Sequence, residues 1–185
     1  MDKVGKLSCA IAGHPPQRFK FKHNEQAPLC RKIKAVIEKQ IKYLYSQGVR
    51  IFYVDCAVGV GTWAAEIILD LKGQGEYSEI ELFCAVPFQD HMERFTEGQK
   101  KRYERILSKS TYQEVVNRKY SPTAYKRQNY FMVDNTQYLI AIYDQDRTER
   151  NSLGQMVNYA MKNSLHITLI HPDTAEISEG VNEEA

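Results

Sequence analysis

The stretch Ile51–Glu66, IFYVDCAVGVGTWAAE, decides how this chain of 185 residues folds. Ile51–Val54 is an unbroken apolar run, the pattern of a strand buried on both faces. Two glycines, Gly59 and Gly61, follow, and Thr62–Leu71 then carries apolar residues at helical spacing until Gly73 stops it. A strand, a glycine turn and a helix make the first half of a crossover unit. Glycine tolerates φ > 0 and has no Cβ to keep a ligand from the backbone. A helix starting there turns its free N–H groups and positive dipole end into the gap, which favours phosphate or another anion.

Working outward, the same alternation repeats. Leu7–Ala12 reads as a first strand and Leu29–Tyr45 as a helix ended at Gly48. Ile80–Val86 is a third strand, and Asp90–Leu107 is helical at least in its second half. Thr111–Tyr120 holds a short extended piece around Glu114–Val116, and Ser121–Val133 contains a helix with Pro122 in its first turn. Tyr138–Tyr143 is a strand, Asp144–Asn151 a polar loop, Ser152–Met161 a helix and Leu165–Ile170 the last strand. Apolar strands alternating with helices predict one α/β domain over residues 1–172, with a mainly parallel central sheet between two helical layers. Such sheets hold ligands beyond the carboxyl ends of their strands.

Hydrophobic residues make up 43% of the chain and charged residues 26%, as in ordinary globular proteins. No apolar run is long enough to span a bilayer, and the start lacks the apolar core of a signal peptide, so the reading is cytoplasmic with no membrane partner. The net charge of +2 hides an asymmetry. Residues 173–185 carry Asp173, Glu176, Glu179, Glu183 and Glu184 with no Lys or Arg, and read as a flexible acidic tail. Basic residues gather between Lys100 and Arg127, on a solvated face or on one that attracts phosphates. Cys9, Cys30, Cys56 and Cys84 lack metal-ligand spacing, so no metal site is expected. Cys9 and Cys84 read as small buried hydrophobes. Cys56, at the glycine turn, is the one with a nucleophilic alternative.

Gly59-Val60-Gly61-Thr62-Trp63-Ala64 matches the spacing G-x-G-x-x-G/A of dinucleotide sites. However, the loop follows the second strand, and the next strand ends Cys84-Ala85-Val86-Pro87-Phe88 without the acid that would hold ribose hydroxyls. NAD redox chemistry is therefore disfavoured and no cofactor is expected. At the end of the first strand, Gly13-His14-Pro15-Pro16 forms a stiff turn. His14 there is open to contact with phosphate or to service as a base, and Arg18 to bidentate phosphate pairing. No nucleophile elbow, Walker loop or zinc-protease motif is present.

In order along the chain, Gly13-His14-Pro15-Pro16, Ala57-Val58-Gly59-Val60-Gly61-Thr62-Trp63-Ala64-Ala65-Glu66, Ala85-Val86-Pro87-Phe88, Asn129-Tyr130-Phe131-Met132-Val133-Asp134 and Leu139-Ile140-Ala141-Ile142-Tyr143-Asp144 resemble the YpsA-like proteins. These belong to the SLOG superfamily, whose function in this branch is unknown. The resemblance runs from about Leu7 to Pro172. It implies a Rossmann-like three-layer sandwich and kinship with LOG-type phosphoribohydrolases and DprA-type single-strand DNA-binding proteins. It also implies a nucleotide or nucleotide-derived ligand. The chain departs from the family pattern at four places. Asp55 stands where glycine is common, and Gly61 where aspartate is common. Asn151-Ser152-Leu153 replaces a Gly-Gly-Thr phosphate loop, and Gln128 replaces an arginine.

The ligand site implied comprises Gly13, His14, Arg18, Ala57, Gly59, Gly61, Thr62, Glu66, Arg127, Asn129 and Asp144. Glu66 is open to ribose binding or acid–base work on one hand and to a salt bridge on the other. Trp63 is open to packing or to base stacking. Three functions compete: a nucleotide-binding domain, a hydrolase of nucleotide N-glycosidic bonds using Glu66, and a nucleic-acid or protein interaction module using residues 100–127. For the last, Tyr103, Tyr112, Tyr120, Tyr125 and Tyr130 offer stacking surfaces, or pack helices on the sheet. Assembly with copies of itself stays open.

Overall fold

The computed structural model describes residues 5–146, 148 and 150–180. Six parallel strands and one antiparallel strand form a single sheet in the order β4-β3-β2-β1-β5-β6-β7. The strands are β1 (Leu7–Gly13), β2 (Val49–Val54), β3 (Glu81–Phe88), β4 (Tyr112–Asn117), β5 (Tyr138–Ile142), β6 (His166–Ile170) and β7 (Ile177–Glu179). The helices are α1 (Pro28–Ser46), α2 (Val60–Lys72), α3 (Glu97–Lys109), α4 (Ala124–Asp134) and α5 (Ser152–Lys162). Strand order reverses between β1 and β5, which places a crevice at their carboxyl ends.

The two-residue period of a strand sorts its side chains between two cores. Cys9 and Ile11 of β1, Phe52 and Val54 of β2, and Leu82 and Cys84 of β3 join α1, α2 and α3 on one face. Ala10, Ala12, Tyr53 and Ala85 face the opposite way, with Met132 of α4 and Met156 of α5. Small residues at Ala10, Ala12, Ala85 and Ala141 allow α4 and α5 to approach closely on this side. The fold is thus the Rossmann-like α/β sandwich that the alternation predicts.

Three local differences have physical causes. Asp90–Leu107 divides into a 3-10 turn, His91–Arg94, and α3, because Thr96 and Gln99 build a reciprocal capping box that fixes a new helix start. The extended piece near Glu114 lengthens into β4, an edge strand with Tyr112 and Val115 on the surface. The acidic segment is not a tail over its first eight residues. Ile177–Glu179 pairs antiparallel with β6, and Arg18 binds Asp173, so strand pairing and a distant cation hold this stretch against the sheet. Residues 181–185 of that segment, Glu183 and Glu184 included, lie outside the described residues. Among the described residues no helix is long and apolar enough to cross a membrane.

Candidate functional site

A cleft of about 260 Å³ opens at the carboxyl ends of β1 and β2. Gly13, His14 and Pro15 form one wall, and Ala57, Val58 and the first residues of α2 form the floor. Gln128 and Asn129 of α4 and Ser152 and Leu153 at the start of α5 close the far side. Its volume lies just below the roughly 300–1,000 Å³ of common small-molecule sites. That suits one nucleoside-sized ligand better than a dinucleotide.

The floor is shaped by Asp55, Gly59 and Gly61. Gly59 adopts φ +99° and serves as N-cap of α2 without any side-chain cap; the Thr62 N–H is taken by the Ala57 carbonyl at 3.0 Å, which leaves the N–H groups of Val60 and Gly61 at the helix start. Its Cα also packs on Pro16, where an added Cβ would come within 3.1 Å of the proline ring. Thr62 turns inward instead of toward a ligand, donating from its hydroxyl to the Ala57 carbonyl at 2.9 Å. At Gly61 an added Cβ would lie 2.0 Å from Asp55 Oδ1. The two departures from the family pattern are therefore one spatial event: the carboxylate of residue 55 fills the space a side chain at 61 would need. Asp55 Oδ1 accepts the Ala57 N–H at 3.0 Å. Burial pushes its carboxyl up to about 6, against which that hydrogen bond pulls.

The other departures also have partners. Gln128, buried, donates from Nε2 to the carbonyls of Asp55 (3.0 Å) and Ala85 (2.6 Å), tying the ends of β2 and β3 together. An amide is suited to two carbonyls in a place where a guanidinium would carry an unpaired charge. Asn151 caps α5, its Oδ1 accepting the Gly154 N–H at 2.7 Å, so the second helix start spends on a side chain what a Gly-Gly-Thr loop would offer a phosphate.

Arg18, read from the sequence as open to phosphate pairing, is engaged by two carboxylates. Arg18 donates from Nε (2.8 Å) and Nη2 (2.6 Å) to Asp144 Oδ2, and from Nη1 (3.3 Å) and Nη2 (3.0 Å) to Asp173. Asp144 Oδ1 also meets His14 Nε2 at 3.1 Å. Burial alone would raise the Asp144 carboxyl, but the Asp146 N–H, Arg18 and His14 hold it down to about 2. This network sits where strand order reverses, and it stitches the ends of β1, β5 and β6 together. No lysine or arginine is among the described residues that line the cleft.

Of the residues singled out from sequence, Gly13, His14, Ala57, Gly61 and Asn129 line the cleft, the last donating from Nδ2 to the Ser152 carbonyl at 3.3 Å. Gly59 and Thr62 support its floor from behind. Arg18 and Asp144 bind each other, and Arg127 is exposed on α4 away from the lining. Glu66 also lies outside the lining: Arg102 grips it through Nε (2.6 Å) and Nη2 (2.7 Å) while binding Glu25 with its remaining donors. Trp63 is buried against Phe19 and Phe21, at ring-centroid distances of 5.5 and 6.0 Å, so it packs and has no face for a base. Cys56 is buried, and the neighbouring Cys84 thiol and burial push its own thiol well above the usual range, which opposes a nucleophilic role.

The lining residues absent from the sequence-derived site include Asp55, His91 and Tyr125. Asp55 stands out in the sequence only as a departure from the family pattern, and its contact with Gly61 joins positions six apart through a turn. Tyr125 and His91 enter from α4 and from the turn after β3. His91 is 7% exposed, its Nδ1 is sealed from solvent without a partner, and burial pushes the ring down to about 4. The only signal available was a histidine soon after a strand end, Pro87-Phe88-Gln89-Asp90-His91.

Comparison with known proteins agrees with this architecture. The model of the YspA SLOG family (YpsA) matches residues 9–175. A UPF0398 protein of Bacillus pumilus (strain SAFR-032) is 32% identical over 165 residues, covering 86% of this chain and 87% of that protein. A UPF0398 protein of Staphylococcus epidermidis (strain ATCC 35984) is 24% identical over 165 residues, covering 87% of this chain and 86% of its own. Among solved structures, DNA processing protein A (DprA) from Streptococcus pneumoniae is similar with a TM-score of 0.57 at 9% identity, a likeness of fold. It covers 89% of this chain, which spans 50% of the DprA chain. With a family match over most of its length, this chain belongs to the YpsA family of SLOG proteins.

Proposed function

We propose that this chain is a cytoplasmic binding domain for a nucleoside or nucleotide-derived small molecule, held in the cleft at the carboxyl ends of β1 and β2. The observation that carries this reading is the uncapped start of α2 opening into a cleft that also presents Asp55, Asn129 and Ser152. The N–H groups of the helix start suit an oxygen-rich group, and a carboxylate and an amide suit sugar hydroxyls. The charge balance ranks the ligands. With Arg18 engaged by two aspartates and Asp55 ionised above about pH 6, a neutral nucleoside is favoured over its phosphate at neutral pH.

Calorimetric titration with adenosine and with AMP at pH 7.5 tests this. Adenosine binds more tightly than AMP to the wild-type protein, and Asp55→Asn tightens AMP relative to adenosine severalfold, because it removes the charge that opposes the phosphate. The folded protein binding neither compound at millimolar concentration overturns the reading.

Two other functions receive less support. Hydrolysis of an N-glycosidic bond by Glu66 requires that carboxylate at the ligand, whereas it is bound by Arg102 outside the lining. For nucleic-acid binding through residues 100–127, Arg102 is neutralised by two glutamates, Tyr103 is buried and Tyr130 is stacked on Tyr159 at 3.8 Å.

A further inference from the structure

Beyond the cleft, a second recess of about 250 Å³ lies past the end of β3. Phe88, Phe95, Tyr120 and Tyr125 form its walls, and it meets the cleft at His91 and Tyr125, which line both. We propose that this recess is the subsite for a planar heterocyclic ring, with His91 as its hydrogen-bonding residue and the rest of the ligand in the cleft. The proposal rests on the binding role given above and names the part of the ligand that confers selectivity.

Three observations support it. First, the walls are built edge to face: Phe88 meets Tyr120 at 5.4 Å and 74°, and Tyr125 at 5.8 Å and 75°. Tyr120 and Tyr125 are 61% and 42% exposed, so large aromatic surface is left for a flat ring to cover. Second, the buried His91 is surrounded by aromatic rings at 5.1–6.2 Å and has no hydrogen-bond partner at Nδ1. Burial keeps the ring neutral at physiological pH, so it acts through hydrogen bonding and not as a cation. A sealed nitrogen costs least as a bare acceptor, which assigns the proton to Nε2 and makes the ring a donor suited to an unprotonated ring nitrogen. Third, the charged groups around the recess, Asp90, Glu93 and Arg94, carry a net negative charge, which disfavours a second phosphate there and leaves the ring as the better occupant.

The test compares adenosine with ribose, the neutral sugar that lacks the ring, on wild type, Tyr125→Ala and His91→Phe. Tyr125 lies on the surface, and phenylalanine keeps an aromatic ring at position 91 among Phe88, Phe95 and Tyr103 while removing its nitrogens, so both variants are expected to melt cooperatively. The expected result is a tenfold or greater loss of adenosine affinity in both variants, with ribose affected less than twofold. Adenosine binding both variants within twofold of wild type overturns the ring subsite while the cleft reading stands. Failure of the folded wild type to bind either adenosine or AMP overturns both.

Discussion

At Gly61 and Asp55 two residues share one volume. The carboxylate occupies the position of a Cβ at 61, and the neighbouring backbone N–H of Cys56 would lie 3.1 Å from that same Cβ. Cys56 itself is held at φ +55°, a left-handed conformation that costs a non-glycine residue on the order of 1–3 kcal/mol. The turn below the cleft is therefore tightly determined. Gly61→Ala is expected to destabilise the protein by about 1–3 kcal/mol in urea unfolding, the range of overpacked sites. Asp55→Ala in the same chain should recover at least half of that loss. The two substitutions are then coupled by about 1 kcal/mol or more, in the manner of residues in contact. Additive effects would show that Asp55 does not fill this space. Sequence made both positions visible as departures from a family pattern, but it could not show that they compensate. Their contact depends on how the loop folds back over the start of α2.

At the level of elements, the ends of three strands are joined by polar groups where an open sheet would offer a ligand crevice. His14 follows β1, Asp144 follows β5 and Asp173 follows β6, and Arg18 connects the last two directly. The Asp144 side chain is 10% exposed, so its pairing is worth more than that of a surface bridge. Asp144→Asn is expected to cost about 1–2 kcal/mol at pH 7. The pH dependence follows from a carboxyl held near 2 in the folded protein and in its ordinary range near 4 when unfolded. That stabilisation is complete above about pH 4 and is lost as pH falls through 2. The gap between wild type and variant in denaturant midpoint should accordingly narrow over that window. A gap independent of pH would mean that the ion pair is not its source. Arg18, Asp144 and Asp173 were each legible as charged residues at element ends. Their mutual neutralisation was not, because the partners lie 126 and 155 positions apart in sequence.

For the whole molecule, most of the architecture could be read from local pattern. Apolar runs marked five of the six parallel strands, and Gly48 and Gly73 marked the ends of α1 and α2. Legibility failed where long-range pairing decided the outcome. β7 is short and exposed, and its sequence, Ile177-Ser178-Glu179, has no apolar alternation; only the edge of β6 makes it a strand. The same limit governed the site. Local motifs found Gly13, His14, Ala57, Gly61 and Asn129, whereas His91 and Tyr125 reach the cleft through the turn after β3 and the first turn of α4. The glycine turn and helix start suggested an anion site, but among the described residues no lysine or arginine lines the cleft, and the Asp55 carboxylate lies beside its helix start. Backbone amide NMR of the full chain during titration with adenosine tests that account most directly. It predicts saturable shifts centred on Gly13, Ala57–Thr62, Asn129 and Ser152 and extending to His91 and Tyr125, while Glu66, Arg127 and β4 stay still. Shifts confined to the basic surface of α3, or none at millimolar adenosine, would contradict it.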